Sequence, residues 1–267
     1  MGHQPQDVTF TDGIVFINNS GLEQFAGDEA IVDIQFASDS ADQGPTLEMT
    51  FDDSPAFDGF RSQIVGTLQD AWEQWTSGFT QGLADINIEL EVTIGAQDPN
   101  FDAFTRSAWG KSTGEFTSDG KRIDTPSIAH ELITGEDLNG SEPDAVLEFR
   151  SPIRDIFADP AFAESLLAHE LGHPLGIVAF NGRNSATPFE ANAADGTFDG
   201  PRSGSVPIAQ SASGFDTDHL AQGLMSPRVD SSESVTAREL SVLADLGLPI
   251  AGANPENRQP NVVSDEA

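Results

Sequence analysis

His169, Glu170 and His173 stand in the order His-Glu-x-x-His within Leu166–Gly176, LLAHELGHPLG. Residues four apart on a helix lie on one face, one turn above the other. Two imidazole nitrogens can therefore meet one metal ion. Glu170 is turned by about 100° from His169 on a 3.6-residue helix. That puts its carboxylate beside the metal's open side, where it can take a proton from an attacking water. Two neutral nitrogen ligands with a neighbouring base are the parts of metal-assisted peptide hydrolysis.

The motif needs a helix, and its flanks supply one. Asp159-Pro160 pairs an N-cap carboxylate with proline at the first helical position. Phe162, Leu166, Leu167 and Leu171 form an apolar stripe at helical spacing. Gly176 is a stop signal, and Pro174, which lacks an N–H, should shorten or kink the last turn. A second fragment, His130-Glu131 in HELIT, lacks the second histidine, and His130 reads as a surface or loop residue.

Other elements can be placed from pattern. Residues 1–45 are polar, with strand-like runs at 14–17 and 31–36, and read as an edge subdomain or pro-segment. Leu47, Met49 and Phe51 alternate as in a half-buried strand. Phe60, Ile64, Leu68, Trp72 and Trp75 mark one face of a helix within 56–75, their aromatic rings belonging to the core. Ile86, Ile88, Leu90, Val92 and Ile94 predict a strand. Residues 98–124 read as mostly loop. A strand at Ala145–Phe149 is expected to line a cleft and to take an extended substrate along its edge. Residues 177–218 are rich in Asn-Gly and Asp-Gly pairs and read as a long loop. Within it Asp195 and Asp199 read as turn residues, with a calcium site as the alternative. A last helix starts at a capping box, Thr236 to Glu239, carries Leu240, Leu243 and Leu246, and ends at Gly247 and Pro249. Residues 251–267 read as a disordered tail or linker.

Composition excludes several functions. The 267 residues carry 44 acidic and 12 basic side chains, a net charge of −32. Binding of nucleic acid or of an anionic membrane through a basic patch is excluded. There is no cysteine, hence no disulfide, thiolate ligand or cysteine nucleophile. No apolar run reaches membrane-span length, and the first residues lack the pattern of a signal peptide. The acidity suits a salt-adapted, calcium-dependent or exported bacterial protein, and a secreted location is the expectation.

His169, Glu170, His173 and Gly176 together resemble the start of the metzincin zinc-protease motif, HExxHxxG followed three residues later by a third histidine and further on by a methionine turn. The position of that third histidine is Ala179, which cannot bind metal. In leishmanolysin-like metzincins an inserted segment carries the third histidine far downstream. The resemblance implies His219 as the displaced ligand and Leu224-Met225-Ser226-Pro227 as the Met-turn, with Met225 an apolar floor beneath the ligands. It covers residues 155–180 and 215–250 closely, follows the family's element order over 45–150, and says nothing of 1–45. It implies an α+β fold: an α/β upper part with a mixed twisted sheet and long helices, and a more irregular lower part. The catalytic domain would span 46–250, with 177–218 as the insertion. Some metzincins use a tyrosine two residues after the turn methionine; here that position is Pro227, and the chain has no tyrosine.

The expected protein is thus a zinc endopeptidase acting on protein or peptide substrates. His169, His173 and His219 would hold Zn²⁺, Glu170 would act as general base, and structural Ca²⁺ could be present. Two alternatives stand beside it. One is a thermolysin-like layout in which Glu190 supplies the third ligand. The other is a non-catalytic, exported binding module that keeps the fold.

Overall fold

The structure, a computed structural model, describes residues 8–11, 14–17, 44–80, 83, 85–97, 102–108, 110–180, 184–211 and 214–251. The expected strand at 31–36 and all but the first residue of the expected tail at 251–267 lie outside these residues. Backbone contacts divide the chain into two units, Met1–Ser38 and Asp39–Ala267. The first contains an antiparallel pair, β1 (Val8–Thr11) with β2 (Ile14–Ile17).

The second unit is built on a four-stranded mixed sheet with helices, an α+β arrangement. Its strands are β3 (Thr46–Phe51), β4 (Asn87–Ile94), β5 (Ala103–Ser107) and β8 (Ala145–Phe149), in the order β3-β4-β8-β5. β3, β4 and β8 run parallel, and β5 is antiparallel to β8. Ile88, Leu90 and Val92 of β4 are buried, as their alternation requires. β8 lies between β4 and β5, so it has no free edge for a substrate. The outer edge on that side belongs to β5, whose strand the polar composition of 98–124 conceals. That stretch also holds β6 (Lys111–Phe116) and β7 (Arg122–Thr125), an antiparallel pair, so it is not mostly loop.

Between β3 and β4 runs α1 (Arg61–Thr76). It starts later than the apolar spacing suggests. Pro55–Phe57 form a separate 3₁₀ turn capped by Ser54, and Gly59 at φ 79° breaks the path before Arg61. Ile64, Leu68, Ala71, Trp72 and Trp75 are buried. α2 (Ser127–Thr134) and the short α3 (Ile153–Ile156) flank β8 in sequence.

The motif lies on α4 (Pro160–Gly172). Asp159 Oδ1 accepts the backbone N–H groups of Ala161 and Phe162 at 3.1 and 3.3 Å, the cap its sequence signals. From Ser165 to Ile177 every residue is buried. The apolar stripe therefore understates the burial, because α4 is covered on all sides in its second half. One cover is α1: the Trp75 indole N–H donates to the Ala168 carbonyl at 2.8 Å. This satisfies the one polar atom of a fully buried Trp.

Residues 177–218 are not a long loop. They contain β9 (Ser185–Ala186), α5 (Pro188–Ala191), β10 (Ala193–Ala194), β11 (Thr197–Gly200), β12 (Gly204–Ser211) and β13 (Gly214–Leu220). The last four strands form an antiparallel meander in sequence order. The turn pairs that suggest loop are its hairpin corners: Asp195, at φ 50°, and Gly196 join β10 to β11. Asp199 lies on β11, where it accepts the hydroxyls of Thr197 and Ser205. α6 (Ala237–Asp245) closes the fold, and the Glu239 carboxylate accepts the Thr236 N–H at 2.9 Å. Among the described residues no helix is long and apolar enough to cross a membrane.

Candidate metal centre

α4 ends at Gly172, and His173 follows in helical geometry with φ −64° and ψ −57°. Pro174 has no N–H to continue the ladder, so the helix stops there, as expected. The chain then turns through Gly176 at φ 130°. This brings the Ile177 carbonyl to His173 Nδ1 at 2.8 Å. His169 Nδ1 meets the Leu224 carbonyl at 2.6 Å. A carbonyl only accepts, so in both rings Nδ1 carries the proton and Nε2 presents its lone pair. The two Nε2 atoms stand 3.2 Å apart.

His219 joins them from β13. Its ring centroid is 5.2 Å from that of His169 and 5.1 Å from that of His173. One nitrogen from each of the three rings falls within 4.8 Å of the others. The β12–β13 register explains how a strand delivers the third histidine here. Ile208 pairs with Leu220, but the next residue, Ala209, pairs with Asp216. The slack leaves Thr217, Asp218 and His219 in a bulge, which re-aims side chains at the end of a strand. After Leu220 a tight turn follows, closed by the Leu220 N–H on the Met225 carbonyl at 2.8 Å. Gly223, at φ 87°, makes that turn possible.

Met225 is fully buried beneath α4. A Cβ on Gly172 would come within 2.3 Å of Met225 Sδ and 2.8 Å of Trp75 Cζ2. The glycine inside the motif is therefore needed for the close approach of helix and turn.

Glu170 is 5 % exposed, and its Oε2 is buried without a hydrogen-bond partner. Burial pushes its carboxyl up to about 7; the Thr105 hydroxyl, the positive charge His219 would carry and the Thr105 backbone oppose that shift. Thr105 Oγ1 is near enough to act on the carboxylate electrostatically, but its geometry makes no hydrogen bond, so it too is buried and unsatisfied. It stands on the buried face of β5 with Ala103, towards α4.

Among the described residues, the sequence-expected set His169, Glu170, His173, His219 and Met225 is thus brought together. Glu190 is not in the cluster. Its Oε2 accepts the N–H groups of Phe180 and Thr187, both at 2.8 Å, within a capping box on α5. His130 is on α2, not in a loop, beside Glu136 at 3.4 Å. Pro227 lies in the turn after Met225. Sequence reasoning missed the carbonyls of Leu224 and Ile177 and the side chain of Thr105. Backbone acceptors carry no residue signature, and Thr105 sat in a stretch that reads as loop.

The donor set fits a borderline divalent ion. Ligands on tetrahedral zinc, at about 2.0–2.1 Å, lie roughly 3.3 Å from one another, close to the 3.2 Å between the two Nε2 atoms. No protein-family model matches this chain, and no curated protein sequence matches it.

Proposed function

We propose that this protein is a zinc-dependent endopeptidase of metzincin type, with His169, His173 and His219 as ligands and Glu170 as general base. The supporting observation is the pair of Nε2 lone pairs facing each other at 3.2 Å. Two lone pairs repel, and a cation between them removes the repulsion. A bound zinc ion would polarise the scissile carbonyl and make an attacking water more acidic.

The chain's own residues would supply the rest. The carbonyls of Leu224 and Ile177 fix the two rings in the tautomer that leaves Nε2 available. Glu170 takes a proton at its carboxylate and returns it to the leaving amine. Burial raises the Glu170 carboxyl and a neighbouring cation would lower it, so the two oppose each other at the base. Thr105 lies near the carboxylate on the β5 side, and the outer edge of β5 can hydrogen-bond an extended peptide. With no tyrosine in the chain, stabilisation of the developing oxyanion falls to the cation and to neighbouring backbone donors. The mixed sheet, the two core helices α1 and α4, and a histidine that reaches the cluster after residues 177–218 are compatible with the leishmanolysin-like order and support this reading. Secretion fits the acidic, cysteine-free composition.

The test is zinc content with a broad peptide-hydrolysis assay. Wild-type protein should hold one zinc and cleave peptides, and chelation should stop the cleavage. His219→Ala should lose zinc and activity together, while Glu190→Ala should keep the metal. Metal retained in His219→Ala and lost in Glu190→Ala would move the site to the thermolysin-like layout. Stoichiometric zinc without hydrolysis would leave a binding module.

A further inference from the structure

A second group of side chains that could hold a metal, distinct from His169, His173 and His219, lies on α2 and in the segments after it. Carboxylate oxygens of Glu131, Asp137 and Asp144 stand within 4.8 Å of one another. Two of the three are anchored. Asp144 Oδ2 accepts the Glu89 N–H at 2.9 Å, and Oδ1 accepts the Ser127 hydroxyl at 3.1 Å. Asp137 Oδ1 accepts the N–H groups of Asn139 and Gly140 at 3.0 and 2.8 Å.

Glu131 differs from them. It is 7 % exposed, and among the described residues no hydrogen bond or ion pair reaches its carboxylate. The groups that act on it are all acidic: Asp144, Asp137 and Glu89. A buried, unpartnered acid aimed at other acids is unfavourable unless something positive joins it. Among the described residues no lysine or arginine acts on it.

We propose that Glu131, Asp137 and Asp144 form a binding site for a divalent cation of the calcium class. All three ligands offer hard carboxylate oxygens, the donors calcium takes, with none of the imidazole or thiolate that dominates zinc sites. Calcium holds its oxygens at about 2.3–2.6 Å, so opposite ligands stand roughly 5 Å apart. The cluster, within 4.8 Å, falls inside that span. The site would tie the end of α2 to the residue before β8. Asp144 also holds the sheet through its backbone: its N–H donates to the Glu89 carbonyl at 2.8 Å, and its carbonyl accepts the Ala108 N–H at 2.7 Å. The cation would thus brace the exit of β5, the strand that carries Thr105. It does not depend on the zinc reading, and its test uses no proteolysis.

The experiment titrates Ca²⁺ into the full-length protein by calorimetry at fixed ionic strength, with melting curves in Ca²⁺, Mg²⁺ and Na⁺. Wild type should show one saturable calcium site above the diffuse background. Asp137→Asn, an exposed change that leaves the core alone, should weaken that site by about tenfold or more, since affinity follows ligand charge. Glu131→Gln should do the same. In chelator, Glu131→Gln should melt higher than wild type, because the amide removes the repulsion, and calcium should reverse that order. Identical calcium isotherms in all three proteins would overturn the proposal. So would a Glu131→Gln advantage that persists in saturating calcium, since Glu131 would then be only a protonated buried acid.

Discussion

Asp218 Oδ1 accepts the backbone N–H of Ala179 at 2.5 Å. Ala179 is where a compact metzincin would carry its third ligand, and Asp218 directly precedes His219. The bond joins the two ends of the 177–218 segment, so the chain leaves and returns at one place. His219, 46 residues after His173, is thereby brought beside the other two histidines. Asp218→Ala should leave all three histidines in place but loosen the last one. We expect zinc affinity to fall about 10–100-fold, the usual effect of a group that orients a ligand, as read by competition with a chelator. Unchanged affinity would mean that the bulge alone positions His219.

Gly172 is a packing requirement inside the motif. With a Cβ 2.3 Å from Met225 Sδ, Gly172→Ala must push the turn or Trp75 aside. Overpacking of this kind costs about 1–3 kcal/mol. The midpoint of denaturant unfolding should fall accordingly, and a neutral result would show that Met225 is not held against α4.

Glu131 links stability to pH. Burial, followed by repulsion from Asp144, Asp137 and Glu89, raises its carboxyl from 4.5 to about 7. In the unfolded chain it ionises earlier, so between about 4.5 and 7 the folded state binds more protons. Stability in chelator should therefore be greatest below that window and fall as pH rises through it. Glu131→Gln should flatten that part of the curve. Thermal melts at several pH values in chelator test this, and equal slopes in both proteins would contradict it.

The net charge of −32 makes self-repulsion a general cost of folding. Sodium chloride should raise the melting temperature between low and physiological ionic strength, as the screening length shortens to about 8 Å. A flat or falling curve would show that the acidic surface is locally compensated.

Much of the site was legible because its parts are side chains at fixed spacing. His169 and His173 needed only helical geometry, and Asp159-Pro160 marked the true start of α4. The strands of 98–124 and 177–218 were hidden for a physical reason. β6 exposes every residue, and in β12 the alternation of Val206 and Ile208 is short and interrupted by Pro207, so apolar periodicity marks these strands weakly or not at all. The same gap concealed Thr105 and gave β8 an edge that β5 in fact covers. The carbonyls of Leu224 and Ile177 could not be read at all, since any residue would provide them.

The central claim is that Glu170 moves the proton in peptide hydrolysis at a three-histidine zinc site. The most direct measurement is the turnover of zinc-loaded wild type against Glu170→Gln at equal, measured zinc occupancy. We predict a loss of about 10²–10⁴-fold, the usual share of a positioned general base, with the metal retained. Equal turnover in the two proteins, or no peptide cleavage by fully loaded wild type, would contradict it.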